Sequence, residues 1–521
     1  MLALAGVVSK LLGALYRIPL YPLLGAEGMG LFQMAYPIYA LILVLSTTGI
    51  NIAVSKLVAE RVARGDGRGV WSVFRTSLIL LAALGLFFSA ALFTGAGYIA
   101  TTVTRDPRAY LSIAAIAPAI LFVAVMSAYR GLFQGMQMMT PTAVSQIVEQ
   151  IVRVGTMMAL AYVLLPGGVE YAAAGASFGA VTGAVAGLIY LLFVFNRGRR
   201  EVFSLPTVSG LGYDAFETAR QIIAMAIPVS IASGVLGIIQ LVDMAVVPAR
   251  LQASGIAPEL ATSLYGQLSG GALPLMNLPT IFTAALQVSL VPSVSEAAAI
   301  GDGLLITTRS RTALRMTFIL MLPAMAGLYL LARPIPALLY GDPEVGTSLS
   351  ALASGVLFLA VQQVTSGILQ GMGLMSVPVR NLLWGAAVKF GLTWALTSIP
   401  ALGIKGAAYG TSAGFLVAAV LNMFTLVSIL GHDIVDVPGM FVKPGISTAV
   451  MGVTVVALHR WLAILSGRES VATLLAIFAG ITTYIVTLIL TGGMTSRDFE
   501  IIPRVGSSMA EFLVRLGLIG K

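Results

Sequence analysis

The sequence contains no cysteine, two histidines and only 10% charged residues among 521. Without cysteine there is no disulfide, no thiolate metal site and no cysteine nucleophile. Soluble domains carry about 25% charged residues, so this chain cannot cover a water-facing surface. It also lacks a Walker A loop, a nucleophile elbow and an Asp-rich diphosphate–metal motif. Energy from ATP would have to come from a partner, and no cofactor is expected. His432, Asp433 and Asp436 resemble metal ligands, but three such residues in one loop read as a solvated turn. No polar stretch is long enough for a separate soluble domain; the longest runs from Asn196 to Arg220.

What is abundant is hydrophobic surface. Hydrophobic residues make up 58% of the chain, and the mean hydropathy is +0.96. Apolar runs bounded by charges, Gly and Pro predict fourteen membrane spans. They centre on 3–24, 31–54, 72–94, 110–130, 142–165, 172–195, 222–248, 263–291, 313–332, 349–372, 380–399, 405–430, 443–463 and 470–491. At about 20 residues each, they leave roughly 200 for loops and ends. The eighth is rich in Gly, Pro, Ser and Gln, which predicts a cavity-lining helix.

The N-terminus has no basic leader and no small-residue cleavage site, and Lys10 and Arg17 interrupt its apolar run. The first span is therefore expected to stay in the protein. The abrupt start at Met1 is compatible with a missing short leader. Lys and Arg in the loops set orientation. With the N-terminus inside, nineteen fall on the internal side and seven on the external side. The external seven are Arg105, Arg108, Arg250, Arg333, Lys405, Arg460 and Arg468. Both termini are thus expected in the cytoplasm of a bacterial inner membrane. The net charge of +9 is an orientation signal, not a sign of nucleic acid. The tail from Arg497 mixes basic and apolar residues and is expected to lie on the inner membrane surface.

The two halves match at one constant shift, the shift that takes Gly30 to Gly266. By the same step Glu60 meets Glu296, and Gly65-Asp66-Gly67 meets Gly301-Asp302-Gly303. Arg75-Thr76 meets Arg311-Thr312, Asp106-Pro107 meets Asp342-Pro343, and GLFQGMQMM at 131–139 meets GILQGMGLM at 367–375. The shift spans six helices, an even number, so both copies share one orientation. The expected architecture is all-α, with two six-helix lobes in a parallel pseudo-two-fold repeat and two extra C-terminal helices. Residues 1–200 form the N-lobe, 201–221 a linker, 222–431 the C-lobe, 432–495 the extra helices and 496–521 the tail. Two repeats rocking about a midplane site describe an alternating-access transporter.

SKLLGALYRIPLYPLLGAEGMGLFQMAYPIY at 9–39, followed by STTGINIAVSKLVAER at 46–61, resembles the start of the stage V sporulation protein B family. That family belongs to the polysaccharide-transporter branch of the multidrug/oligosaccharidyl-lipid/polysaccharide superfamily. The Gly-Leu-Phe-Gln-Gly motif at 131–135 fits the same group. The resemblance is dense over 9–150, recurs near 367–378, and extends along the chain through helix count. Its members resemble lipid II flippases. The resemblance implies movement of undecaprenyl-pyrophosphate-linked sugars to the outer leaflet, and it does not separate sporulation from vegetative members.

Six ionisable residues fall within spans: Lys10, Arg17, Glu149, Arg153, Asp243 and Lys389. Each costs roughly 2.5–3.5 kcal/mol at a bilayer centre, so each should face a cavity or a partner. Lys10 and Arg17 are seven apart and share a helix face, about 10 Å apart along the axis. Two cations there suit a diphosphate, Arg bidentately and Lys as a point charge. Snorkelling of Lys10 and carbonyl capping by Arg17 are the structural alternatives. Glu149 and Arg153, at i and i+4, form either a self-neutralising pair or a phosphate-binding Arg held by Glu. Gln146 and Gln150 extend the stripe toward sugar hydroxyls. Lys389 has no local partner in sequence; it faces a cavity or pairs with Asp243. Asp243, with Gln240 and Asn381, is the candidate for coupling to Na⁺ or protons, since oxygen ligands suit hard cations.

Gln134-Gly135 and Gln370-Gly371 close the fourth and tenth spans, as helix stops or as gate hinges. Pro19, Pro22, Pro37, Pro228, Pro274, Pro279 and Pro292 can kink their helices. The expected function is a monomeric, non-enzymatic flippase for a lipid-linked glycan, driven by a cation gradient. A multidrug or cation antiporter of the same superfamily is the alternative, but four basic against two acidic intramembrane residues speak against it. A scaffold for a cell-wall synthase is the other. A membrane transferase would need clustered carboxylates with His at a membrane face, which the sequence does not provide.

Overall fold

A computed structural model describes residue 13, residues 16–203 and residues 214–493. Lys10 and the tail 496–521 lie outside the described residues. In chain order the helices are α1 (Arg17–Leu43), α2 (Gly49–Ala63), α3 (Gly67–Tyr98), α4 (Ala109–Ile116), α5 (Pro118–Gly135), α6 (Met139–Leu164) and α7 (Val169–Phe203). Next come α8 (Ala215–Ala253), α9 (Pro258–Gly266), α10 (Leu273–Ala299), α11 (Gly303–Leu330), α12 (Pro334–Tyr340) and α13 (Val345–Gly371). Last are α14 (Ser376–Thr397), α15 (Ile404–Leu430), α16 (Lys443–Ser466) and α17 (Glu469–Leu490). No strand occurs among the described residues. Helices satisfy every backbone group within one segment, which an apolar surround demands.

Eleven segments among the described residues are long and apolar enough to cross a membrane by length and composition. They match eleven of the fourteen expected spans. Of the other three, the first lies mostly outside the described residues and its end enters α1. The seventh and eleventh are α8 and α14, both helical throughout. The all-α, many-span architecture expected from hydropathy is the one observed.

The break expected between the first two spans, at 25–30, falls at Gly25, where φ 67° and ψ 178° interrupt α1 and separate two helical segments at a kink. A positive φ there is open to glycine at little cost. Helix enters both ends of the expected 201–221 linker, since α7 reaches Phe203 and α8 begins at Ala215.

The chain divides into two compact units, one ending at Gly270 and the other beginning at Gly271. The first therefore includes α8 and α9, beyond the expected lobe boundary. Small residues explain this packing. A Cβ on Gly49 would lie 2.6 Å from the Ser230 hydroxyl of α8, and one on Gly30 would lie 2.8 Å from the Thr262 methyl of α9. The core of this unit centres on Phe74, Tyr129 and Phe195, whose ring centroids lie 5.1–5.4 Å apart in edge-on and tilted contacts. In the second unit, α10, α11, α13 and α15 bury Leu290, Val294, Leu314, Val364 and Leu426. There α17 is tied to α11 by the Tyr484 hydroxyl, which donates to the Ile319 carbonyl at 2.6 Å.

The sequence repeat is visible in the packing inside each unit. A Cβ on Gly135 would lie 2.6 Å from Val58 Cβ and 2.7 Å from the Ser55 carbonyl. On Gly371 it would lie 2.7 Å from Val294 Cβ and 2.9 Å from the Val291 carbonyl. Asp66 caps α3 by accepting from the Gly69 amide at 2.9 Å, and Asp302 caps α11 from Leu305 at 2.9 Å. The shift that takes Gly30 to Gly266 carries every residue of the first set onto its counterpart in the second.

Candidate functional site

In the first unit, the side chains of α6 that carry charge meet α1 and α5. Glu149 binds two guanidiniums at once. Its Oε2 accepts from Arg130 Nη2 at 2.9 Å, and its Oε1 from Arg153 Nη2 at 2.8 Å. Arg130 Nε also donates to the Ser145 hydroxyl at 3.0 Å. All three charged side chains are 12–14% exposed. Arg153 sits beside Tyr36 and Tyr39 of α1, with Tyr16 and Arg17 acting on the same group of tyrosines. Arg17 Nε reaches the Tyr16 hydroxyl at 3.5 Å. The Gln150 amide approaches Gly13, which places Gln150 on the face of α6 turned to the first span.

Among the described residues Arg130 and Arg153 share the single carboxylate of Glu149, which makes the cluster cationic, and Arg17 lies near the same tyrosines. Arg153 Nε and the Tyr39 hydroxyl are buried beside each other, and neither makes a hydrogen bond of good geometry among the described residues. Buried donors left unpaired cost about 1–3 kcal/mol each, so such a site favours an anion with acceptor oxygens. An Arg fork matches phosphate oxygens in particular.

A glycine ladder on α7 sets this geometry. Gly175, Gly179, Gly183 and Gly187 recur every fourth residue and face α6. A Cβ on Gly183 would lie 2.7 Å from the Glu149 carbonyl and 2.8 Å from Arg153 Cβ. A Cβ on Gly179 would lie 2.9 Å from the Arg153 carbonyl. The bare glycine face lets α6 lie against α7, as small-residue stripes do in membranes.

The second unit repeats this device. Gly406, Gly410 and Gly414 of α15 face α14, and a Cβ on Gly414 would lie 2.8 Å from Lys389 Cβ. Lys389 is the repeat counterpart of Arg153 and is buried. The counterpart of Glu149 is Gly385, so the carboxylate is not repeated. Asn381 donates to Asn422 Oδ1 at 2.9 Å, and Asn422 donates to Thr365 and Ser366 at 3.1 Å each. Asn381 thus belongs to a buried amide network joining α13, α14 and α15.

Asp243 lies on α8 near Tyr265, in the first unit, with Gln240 exposed one turn earlier. Asn381 lies in the second unit. Gln146 is half-buried on α6. Gln134-Gly135 and Gln370-Gly371 end α5 and α13, and both glycines are helix-crossing points. Asp436 accepts from the Gly439 amide and pairs with Arg311 at 3.7 Å.

Sequence alone does not bring out Arg130, Tyr36 and Tyr39. Arg130 reads as a loop cation, although it lies three residues after Ser127 inside α5, on the face turned to α6. A second ionic cluster is equally hidden. Arg108 pairs with Glu27, and donates to Asp106 at 2.8 Å through Nη2 and 3.0 Å through Nε. Thr262 donates to the same Asp106 at 2.7 Å. Burial pushes the Asp106 carboxyl up, but hydrogen bonds from Arg108 and Thr262 outweigh it and hold it below the usual range. The Asp106 hydrogen bond raises Arg108.

Residues 1–298 match the family model described as polysaccharide biosynthesis protein. The chain is similar to stage V sporulation protein B of Bacillus subtilis (strain 168), 32% identical over 430 residues covering 82% of each chain. It is also similar to the lipid II flippase MurJ of the same organism, 28% identical over 480 residues, 87% of this chain and 86% of that one. Among solved structures, lipid II flippase MurJ in an inward closed conformation superposes with a TM-score of 0.69 at 15% identity, covering 93% of this chain and 97% of the other. Helix packing, internal repeat and sequence agree: the chain is a multi-pass membrane protein belonging to the polysaccharide biosynthesis protein family.

Proposed function

We propose that the protein is a flippase that carries the head of an undecaprenyl-pyrophosphate-linked glycan, a lipid II-like precursor, across the bacterial inner membrane. The observation that carries this reading is the buried guanidinium of Arg153, whose Nε makes no hydrogen bond of good geometry, in a cluster where cations outnumber carboxylates. A drug cation would be repelled there; a pyrophosphate would be held. The relatives point the same way, since one of them is a lipid II flippase.

In this reading Arg17 and Arg153 bind the pyrophosphate, with Lys10 adding charge, and Lys389 is the corresponding cation of the second unit. Glu149 holds Arg153 in place before substrate arrives. Gln146 and Gln150 meet sugar hydroxyls. The lipid tail stays in the bilayer while the head passes by alternating access. Asp243, with Gln240, takes the coupling Na⁺ or proton, and Asn381 keeps to the amide network of the second unit. Gly135 and Gly371, at paired helix crossings, are the pivots. The protein acts as a monomer with both termini in the cytoplasm.

The test is headgroup translocation of a lipid-linked precursor in proteoliposomes. Wild type should translocate it, and Arg17→Ala and Arg153→Gln should not, with both variants still folded. Full activity in both variants would refute the cationic site. No movement by well-folded wild type under any imposed Na⁺ or proton gradient would refute the flippase reading.

A further inference from the structure

The two extra helices do more than extend the chain. In the second unit, α16 lies against α11, and together with α13 and α15 it bounds an elongated groove of two connected compartments. The larger, about 1030 Å³, is apolar, lined by residues such as Leu322, Met325, Ala353, Ala449 and Val456. The smaller, about 490 Å³, is polar and includes Lys405, His459 and Arg460. Tyr329, Ser350, Tyr409 and Arg460 line both, so the compartments are continuous. Among the described residues no carboxylate lines either one.

The charges at the polar end are available. Among the described residues neither Lys405 nor Arg460 has an ion-pair partner. His459 is occupied, with Nε2 3.2 Å from the Thr473 hydroxyl of α17. The groove is open along its length, because Tyr329, Tyr409 and Val453 are exposed. From Gly445 to Arg460 along α16 is roughly 22 Å at 1.5 Å per residue. One leaflet of hydrocarbon is about 15 Å deep, half the bilayer core.

The geometry points to a binding site for one anionic glycerophospholipid, its phosphate on Lys405 and Arg460 and an acyl chain along the apolar compartment. Charge complementarity selects a negative head: two cations without counter-charge bind phosphate oxygens, Arg as a fork and Lys as a point charge. Length favours a chain that spans one leaflet, and Tyr329 and Tyr409 suit the interfacial level. The site shares no residue with the Arg153 cluster, and it depends on α16 covering this face of the repeat.

The test is native mass spectrometry of the full chain in detergent, titrated with phosphatidylglycerol and with phosphatidylcholine. Wild type should bind one phosphatidylglycerol roughly tenfold more tightly than phosphatidylcholine, the size of one charge-assisted contact. The Lys405→Gln/Arg460→Gln double variant should lose that preference. Ala449→Phe, at an exposed position lining the apolar compartment, should weaken both lipids. A preference kept by the double variant would overturn the assignment, as would unaltered binding to Ala449→Phe. Displacement of the lipid by inorganic phosphate alone would mark a simple anion site and overturn it too. One-for-one displacement by undecaprenyl pyrophosphate would make it the substrate's own site, with the same consequence. Binding is read without transport, so these outcomes do not depend on flippase activity.

Discussion

Gly30 and Gly266 are repeat counterparts, and their backbones touch. A Cβ on Gly266 would lie 2.6 Å from the Gly30 amide nitrogen. One turn along, Gln33 Nε2 donates to the carbonyl of its own counterpart, Ser269, at 3.0 Å. Contacts between equivalent residues are what an isologous pairing of two copies produces. Neither position tolerates a side chain, because each faces a carbonyl of the other helix.

Gly30→Ala should therefore destabilise the protein by about 1–3 kcal/mol, the usual cost of overpacking. Gly97→Ala on α3 is the control, since a Cβ there meets nothing within 4 Å. Thermal unfolding in detergent compares them. Equal melting of the two variants would remove the close-approach argument.

Glu149→Gln should cost more stability than Arg153→Gln. The first change leaves two buried guanidiniums without a carboxylate, the second only shortens the cluster. Breaking a buried pair by removing one partner costs roughly 3–5 kcal/mol. The Glu149→Gln/Arg130→Gln double variant should recover part of the loss, which a double-mutant cycle on unfolding measures. Strict additivity would show that the two side chains do not couple.

Arg105 and Gln137 adopt positive φ, at 55° and 60°. Their repeat counterparts are Gly341 and Gly373, at 71° and 82°. The left-handed conformation costs a non-glycine residue roughly 1–2 kcal/mol, partly offset by the greater unfolded-state entropy of glycine. Gln137→Gly and Arg105→Gly should each raise the melting temperature. A fall in both would mean that contacts of these side chains outweigh the strain.

Stability should depend on Asp106 in acid. Its folded carboxyl is held below the usual value of 3.8, so the folded state binds the proton less well than the unfolded chain. The contribution is complete above the unfolded value, and it is lost as pH falls from about 4 through the folded value. Asp106→Asn should melt lower than wild type at neutral pH and should flatten the acid limb of the profile. Parallel profiles for the two proteins would exclude Asp106 from the acid response.

Several elements were legible in sequence because their causes are local or repeated. Apolar runs fixed the helical class, since no other structure satisfies backbone groups across so much hydrocarbon. The constant shift between the halves paired Asp66 with Asp302, and in the structure each caps the helix that follows it. Glu149 and Arg153 could be paired in advance because i and i+4 share a helix face. Arg130 could not: its place beside Glu149 depends on how α5 and α6 are rotated about their axes. The glycines of α7 carried a signal, a four-residue spacing, that hydropathy does not register.

Sequence alone thus determined a membrane-embedded, duplicated, all-helical chain with a surplus of intramembrane cations, because composition and periodicity act within single segments. Only the tertiary structure decided that Glu149 serves two arginines, that Arg108 gathers Glu27 and Asp106, and that α16 roofs a groove ending at Lys405 and Arg460. The ion clusters depend on side chains from distant segments of the chain meeting at about 3 Å, and the groove on how α16 packs against its neighbours. Such meetings are set by helix rotation and close approach at glycine, which no single segment encodes.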